Sequence, residues 1–339
     1  MPYRFKRNED VRKGFRRIAR EQIDLIVREL GMAVVPATSV HAGRKALKRL
    51  RALIRCAAPA LGGKAARKHD GALRDIARLL SHRRDADVSL ATLRKLEAHF
   101  GGEASSGLAP LRAVLEETSA AAPDALDAPL LDDIRNRLES ESKRLKQAKL
   151  KGRGIAPYIA GISKTYRDGV KARKAAYRAP SDETFHELRK AVQAHWRHMS
   201  LLSRSWPDAY SARIALAREL SQLLGDDHDL AMLKVASRAL TDADCSIICN
   251  LCERRQSELR DAAKFRAEML YAERPGAFER RMAAYWALGH KVRPLVASIE
   301  AAEEGQSAPG AISPAGSQAG SRPALAAKTP ASSRSQRRS

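Results

Sequence analysis

Aromatic residues make up only 5% of this 339-residue chain, and cysteine occurs four times. So few Phe, Tyr and Trp leave no ladder of rings interleaved with bases on which a single nucleic-acid strand could stack. Cys56, Cys245, Cys249 and Cys252 lack the even spacing of a disulfide framework, so reduced thiols in a cytosol are expected. No apolar run approaches the ~20 residues of a membrane-spanning helix. The opening MPYRFKRNEDVRKGF has charge but no apolar segment behind it, so neither export nor membrane insertion is expected. There is no P-loop, nucleophile elbow or Gly-rich dinucleotide fingerprint, and no segment alternates convincingly like a strand.

Acid is locally missing as well. Between Glu29 and Asp70 there is no Asp or Glu, yet nine bases occur: Arg44, Lys45, Lys48, Arg49, Arg51, Arg55, Lys64, Arg67 and Lys68. Solvated helices normally interleave the two signs, because an i,i+4 pair of opposite charge contributes ~0.2–0.5 kcal/mol and a like pair costs a similar amount. An external anion would relieve the repulsion. The whole chain agrees, with 62 Lys and Arg against 39 Asp and Glu and a formal net charge of +23. The Ser/Ala/Pro/Gly-rich tail holds only five of those bases (Arg322, Lys328, Arg334, Arg337 and Arg338), so the excess belongs to the folded part. A polyanionic partner is the first expectation.

Apolar residues recur at helical spacing almost throughout, as in Ile18, Ile23, Ile26 and Leu30, or Leu73, Ile76, Leu79 and Leu80. This predicts an all-α protein of about ten to twelve helices. Breaks are expected at Gly31 to Thr38, Gly62-Gly63, Gly101-Gly102, Pro123 to Pro129, Gly152 to Pro157, Pro180-Ser181, Gly225 and Arg274 to Gly276. Residues 303–339 are too polar to bury a core and are expected to be disordered.

The two halves on either side of Gly152 repeat each other. VHAGRKAL from Val40 matches FHELRKAV from Phe185 at an offset of 145, pairing His41 with His186, Arg44 with Arg189 and Lys45 with Lys190. LSHRRDADVSL from Leu80 matches LGDDHDLAML from Leu224 at an offset of 144, pairing Asp85 with Asp229 and Arg84 with His228. Two blocks at nearly one offset imply two homologous helical bundles. At 100° per residue, Arg44, Lys45, Lys48 and Arg55 fall beside His41 while Leu47, Leu50, Leu53 and Ile54 fall opposite. In the second copy, Arg189, Lys190, Gln193 and Arg197 accompany His186, and Leu188, Val192, Met199 and Leu202 lie on the far side. Lys164, Arg167, Lys171, Lys174 and Arg178 form a third stripe that would extend the surface. Arginine forks and mobile lysines together suit a flexible chain of phosphates.

VHAGRKALKRLRALIR, FHELRKAVQAHWRHMSLL, LSHRRDADVSLATLRKL and LGDDHDLAMLKVA, in this order, resemble the CHAD family, an α-helical domain with characteristic histidines. The similarity runs from about residue 8 to about residue 298. It implies one unit of two pseudosymmetric four-helix bundles, residues 8–150 and 155–298, around a basic groove or pore. It also implies inorganic polyphosphate as the ligand and polyphosphate granules as a location; together with the duplicated basic helices it leads to the expectation of noncatalytic binding in the cytoplasm, with no cofactor or metal. The resemblance carries over to His41, Arg44, Lys45, Lys48, Arg49, Arg51, His186, Arg189 and Lys190. The helical faces add Arg55, Arg197, Arg167 and Lys171. A nonspecific RNA- or DNA-binding protein remains the alternative, since the same field attracts nucleic acid.

Other motifs have simpler explanations. Cys245, Cys249 and Cys252 have the CxxxCxxC spacing of an iron-sulfur site, but on a helix they lie on one face beside a buried-looking run. Glu139, Glu141 and Lys143 spell ExExK, which on a strand would aim three side chains into a barrel; Leu130, Ile134, Leu138 and Leu145 predict a helix there instead. Asp85 and Asp229 could be metal ligands or an acid/base pair, and are expected to be structural. His195, Trp196 and His198 are expected to pack at the bundle interface.

Overall fold

The computed structural model describes residues 3–6, 9–32, 34–80, 84–121 and 127–291. The expected disordered tail lies outside them, as does the side chain of Asp85. Among the described residues the protein is all-α, with twelve helices and no strand. None of these helices is long and apolar enough to cross a membrane.

Helix α1 (Val11–Glu29) starts where the Asp10 carboxylate accepts from the backbone amides of Arg12 and Lys13, and it buries Ile18, Ile23 and Ile26. Helix α2 (Ala37–Cys56) follows, then the single turn α3 (Ala58–Leu61) and α4 (Gly63–Leu79). Gly62, at φ 83°, turns the chain between α3 and α4 in a conformation that glycine adopts without strain. Helices α5 (Arg84–Phe100) and α6 (Gly102–Ala121) form a hairpin, and α7 (Ala128–Gln147) ends the first half. The second half comprises α8 (Ala156–Arg178), α9 (Asp182–Leu202), α10 (Pro207–Ser237), α11 (Asp242–Leu270) and α12 (Pro275–Lys291).

The sequence repeat reappears in the element order. An offset of 145 carries the first residue of α1 onto that of α8 and the first residue of α2 onto that of α9. Helix α2 packs on α1 and α4, as α9 packs on α8 and α10, and α7 packs on α1 as α12 does on α8. One difference stands out. Where the first half is divided into α4 and α5, the second runs through as the 31-residue α10. The break expected at Gly225 is therefore absent. Leu220, Leu224, Leu230 and Leu233 are buried on both sides of it, and their packing outweighs the ~1 kcal/mol by which glycine disfavours a helix interior.

The core is continuous across Gly152. Leu47, Leu50, Leu53 and Ile54, assigned to the core face of α2, are fully buried, as are Leu188, Val192, Met199 and Leu202 of α9, all in one cluster with Tyr158 and Ile162 of α8. Phe5 donates its backbone amide to the Leu201 carbonyl (3.0 Å) and sets its ring edge-on to Tyr158 at 5.8 Å. Helix α8 crosses the end of α2 so closely that a Cβ on Gly161 would stand 2.1 Å from the Cys56 carbonyl oxygen. A second cluster joins the halves elsewhere: Leu90, Leu93, Leu96, Leu108 and Leu111 of the α5–α6 hairpin pack on Leu230, Leu233, Ile248 and Cys252 of α10 and α11.

Candidate functional site

Helices α2 and α9 pack against each other, and each presents a basic face beside the contact. On α2, Lys45 and Lys48 are exposed, while His41, Arg44, Arg49, Arg51 and Arg55 are half-buried. The Arg44 guanidinium donates to the Leu80 carbonyl at 2.9 Å, closing the C-terminal end of α4 where backbone oxygens lack helical partners. The Arg49 carbonyl accepts from the Tyr3 hydroxyl at 2.7 Å.

Not all of α2's charge is left to an outside anion. Asp70 of α4 accepts two hydrogen bonds from Arg51, at 2.8 and 3.0 Å, and lies 3.7 Å from Arg55. Burial pushes the Asp70 carboxyl up, but Arg51 and Arg55 outweigh it and hold the group below the usual carboxylate range. Arg51 is thus part of an internal ion pair, and Arg55 shares it. The remaining cations of α2 have no acid on their own helix.

On α9, the Ser181 hydroxyl and Thr184 form a reciprocal cap, and Asp182 and Glu183 occupy the first turn. Lys190 is exposed and pairs with Glu187 at 2.5 Å. Arg189 is half-buried and faces Gly225 of α10, where a Cβ would stand 3.9 Å from its Nε. Arg197 is only 7% exposed; it donates to the Gln193 carbonyl at 2.6 Å and lies over the Trp196 ring at 4.3 Å. Burial is the main force lowering its pKa to about 10, and Arg49, Arg189 and Arg55 add to the shift. A residue of α9 therefore lies within electrostatic reach of two α2 arginines and one of its own helix. Arg55 in turn feels Glu187 of α9. Arg167 and Lys171 stand exposed on α8, in a stripe where Lys164 pairs with Asp168 at 2.8 Å.

Sequence reasoning missed the partner of His186. Its Nδ1 lies 3.1 Å from Nδ1 of His228 on α10, with ring centroids 4.4 Å apart. The repeat placed His228 opposite Arg84 but contained no sign that α9 and α10 bring the two imidazoles together. Burial lowers both pKa values, with Lys190 and Arg189 adding to it at His186 and Arg189 at His228, which falls to about 4. Lys48 of α2 also acts on His228, so α2, α9 and α10 meet in one field.

Around this cluster two carboxylates are engaged by bases of α10 and α11. Asp227 is buried and accepts from Arg260 at 2.6 Å, while Asp182 accepts from Arg260 at 2.8 Å and lies 2.9 Å from Lys234. Asp229 is half-buried on α10. His195 accepts from Arg213 at 3.1 Å, and His198 donates to the Ala52 carbonyl of α2 at 2.9 Å, so both serve the interior. Burial lowers both pKa values, that of His198 to about 4. Glu141 of α7 is a buried partner of His69 on α4, and the ExExK stretch lies within helix α7. Cys252 lies in the second core cluster, and Cys245 and Cys249 face Ser237, their sulfurs 3.9 Å apart. No group of three potential metal ligands occurs among the described residues.

Comparison with known proteins bears on the whole arrangement. The chain is similar to PptA from Streptomyces chartreusis, at 15% identity and a TM-score of 0.53, over 78% of this chain and all of that one, a likeness of fold. No curated protein sequence matches it. The CHAD domain model matches residues 17–237, more than half of the chain and both histidine helices. The chain belongs to the CHAD domain family.

Proposed function

We propose that the protein binds inorganic polyphosphate without turning it over, across a basic surface built by α2 and α9 and completed by the Gly225–His228 stretch of α10. The observation that carries this is that Arg197 of α9 lies within electrostatic reach of Arg49 and Arg55 on α2 and of Arg189 on its own helix, where α2 and α9 pack together. Like charges gathered from two helices raise the energy of the free protein, and a dense polyanion lowers it again. Membership of the CHAD family supports the choice of polyphosphate. The exposed Lys45 and Lys48 and the half-buried Arg49 and Arg189 form the contact surface, with His41 and His186 at the heads of their helices. Arg44, Arg51 and Arg197 hold the framework beneath it. Cytoplasmic polyphosphate granules are the expected setting.

The noncatalytic part rests on the engagement of nearby acids: Asp182 and Asp227 are tied to Arg260. Binding of long-chain polyphosphate, short oligophosphate and RNA at physiological salt tests the proposal. Long chains should bind much tighter than oligophosphates and should displace RNA, with no orthophosphate released in the presence of Mg²⁺ or Mn²⁺. Preference for RNA would favour a nucleic-acid-binding role. Phosphate release that disappears in Asp229→Asn would make the protein a hydrolase.

A further inference from the structure

An N–H···N bond between two imidazoles needs one donor and one acceptor. At 3.1 Å, the Nδ1 atoms of His186 and His228 satisfy this when both rings are neutral, and also when one ring carries an extra proton, since the imidazolium still donates to its neutral neighbour. A second proton would set two N–H groups against each other. The pair is therefore built to accept one proton without rearranging. Its surroundings decide whether that proton is present.

The charged groups facing it come from several helices. Lys190 and Arg189 of α9 and Lys48 of α2 repel a proton, whereas Glu183 and Glu187 near His186 and Asp182 near His228 attract one. The acids are largely committed elsewhere: Glu187 pairs with Lys190, and Asp182 with Lys234 and Arg260. On α10 itself, Asp226 pairs with Lys95 of α5 at 3.0 Å and Asp227 with Arg260 of α11. Burial, first, and these cations together outweigh the acids, and the free protein keeps the pair neutral near pH 7. Phosphates seated on Lys48, Arg189 and Lys190 would cancel that repulsion and bring negative charge close to the rings.

We propose that the His186–His228 pair is a proton-coupled element of the binding surface, taking up one proton as a polyanion binds and thereby favouring ligands of high charge density. This deepens the polyphosphate-binding proposal and rests on it. The two halves differ here by design of sequence. The repeat aligns His228 with Arg84, whose guanidinium stays charged at all physiological pH values, so the two halves differ in titratable character at this position.

Calorimetric titration of the full chain with long-chain polyphosphate, in buffers of different ionisation enthalpy between pH 6 and pH 8, tests this directly. Internal phosphates of a long chain are strong acids, so the ligand adds almost no titration of its own. Uptake approaching one proton per site near pH 7, with affinity rising about tenfold from pH 8 to pH 6, is expected. His228→Asn and His186→Asn, each checked for wild-type helicity, should lose most of the proton uptake and flatten the rise in affinity from pH 8 to pH 6. Tight binding with no proton uptake, or uptake unchanged in both variants, overturns the inference and leaves the polyphosphate proposal standing. No binding at any pH overturns the polyphosphate proposal itself, and this inference with it.

Discussion

Helices α2 and α9 carry one repeated sequence motif, yet they handle the same positive charge differently. Helix α2 has no acid of its own and begins at Pro36 without a side-chain cap; it borrows Asp70 from α4 for Arg51 and Arg55. Helix α9 carries its own compensation, with a Ser181 cap, Asp182 and Glu183 in the first turn, and Glu187 against Lys190. Its distal end is buried, with His195, Arg197 and His198 all turned inward. Under the proposed function, this difference leaves most of the electrostatic attraction to α2 and the proton response to α9.

The sharpest way to break this comparison is to strip each helix in turn. Lys45→Ala, Lys48→Ala and Arg49→Ala together should weaken long-chain polyphosphate binding about a hundredfold at fixed salt. Arg189→Ala with Lys190→Ala should cost about tenfold, since Glu187 already offsets Lys190; equilibrium binding measures both. Each lost phosphate contact should also make the slope of log affinity against log salt shallower by about 0.7, by analogy with single-stranded nucleic acids. Equal losses from the two helices would abolish the proposed division.

Removing the borrowed acid should act in the opposite direction. Asp70→Asn frees Arg51 and Arg55 and should raise affinity about threefold. Glu187→Gln should do the same for Lys190 to a smaller degree. Asp70→Asn should also lower the melting temperature, because a half-buried ion pair of Arg51 is lost, whereas Glu187→Gln, at an exposed site, should leave it nearly unchanged.

A separate effect belongs to the interior. His198 is neutral in the folded protein with its pKa lowered to about 4, while an unfolded histidine titrates near ~6.5. The unfolded chain therefore binds the proton first as the pH falls. Stability contributed by neutral His198 is complete above about 6.5 and is lost as pH drops toward 4, at no more than ~1.4 kcal/mol per pH unit. His195, held neutral by burial and Arg213, acts in the same sense. Melting curves of wild type and His198→Gln across that range should show a shallower acid decline in the variant.

Helical periodicity was enough to place the core residues of α2 and α9, because a 3.6-residue repeat records which side of a helix is dry. It could not reveal what a neighbouring helix brings to the wet side. Asp70 sits 19 residues beyond Arg51, and His228 sits 42 residues beyond His186; only the packing of α4 and α10 creates those contacts. Arg197 was legible as cationic but not as buried, since its angular position on α9 matches that of exposed bases. The Gly225 misreading has the same origin: a glycine in an isolated sequence signals a break, whereas buried leucines on a helix packed against α5, α9 and α11 hold it in α10. The CHAD resemblance depended on four blocks in order, a longer-range signal that survives such local errors.

The salt dependence of polyphosphate binding tests the central claim most directly, because it counts the phosphates engaged and shows which helix engages them. A two-helix surface predicts a steep slope for the wild type, of about −3 or beyond, that becomes shallower when either α2 or α9 is stripped of its cations. A slope that α9 substitutions leave untouched would mean that the ligand rides on α2 alone and that the two helices share no site.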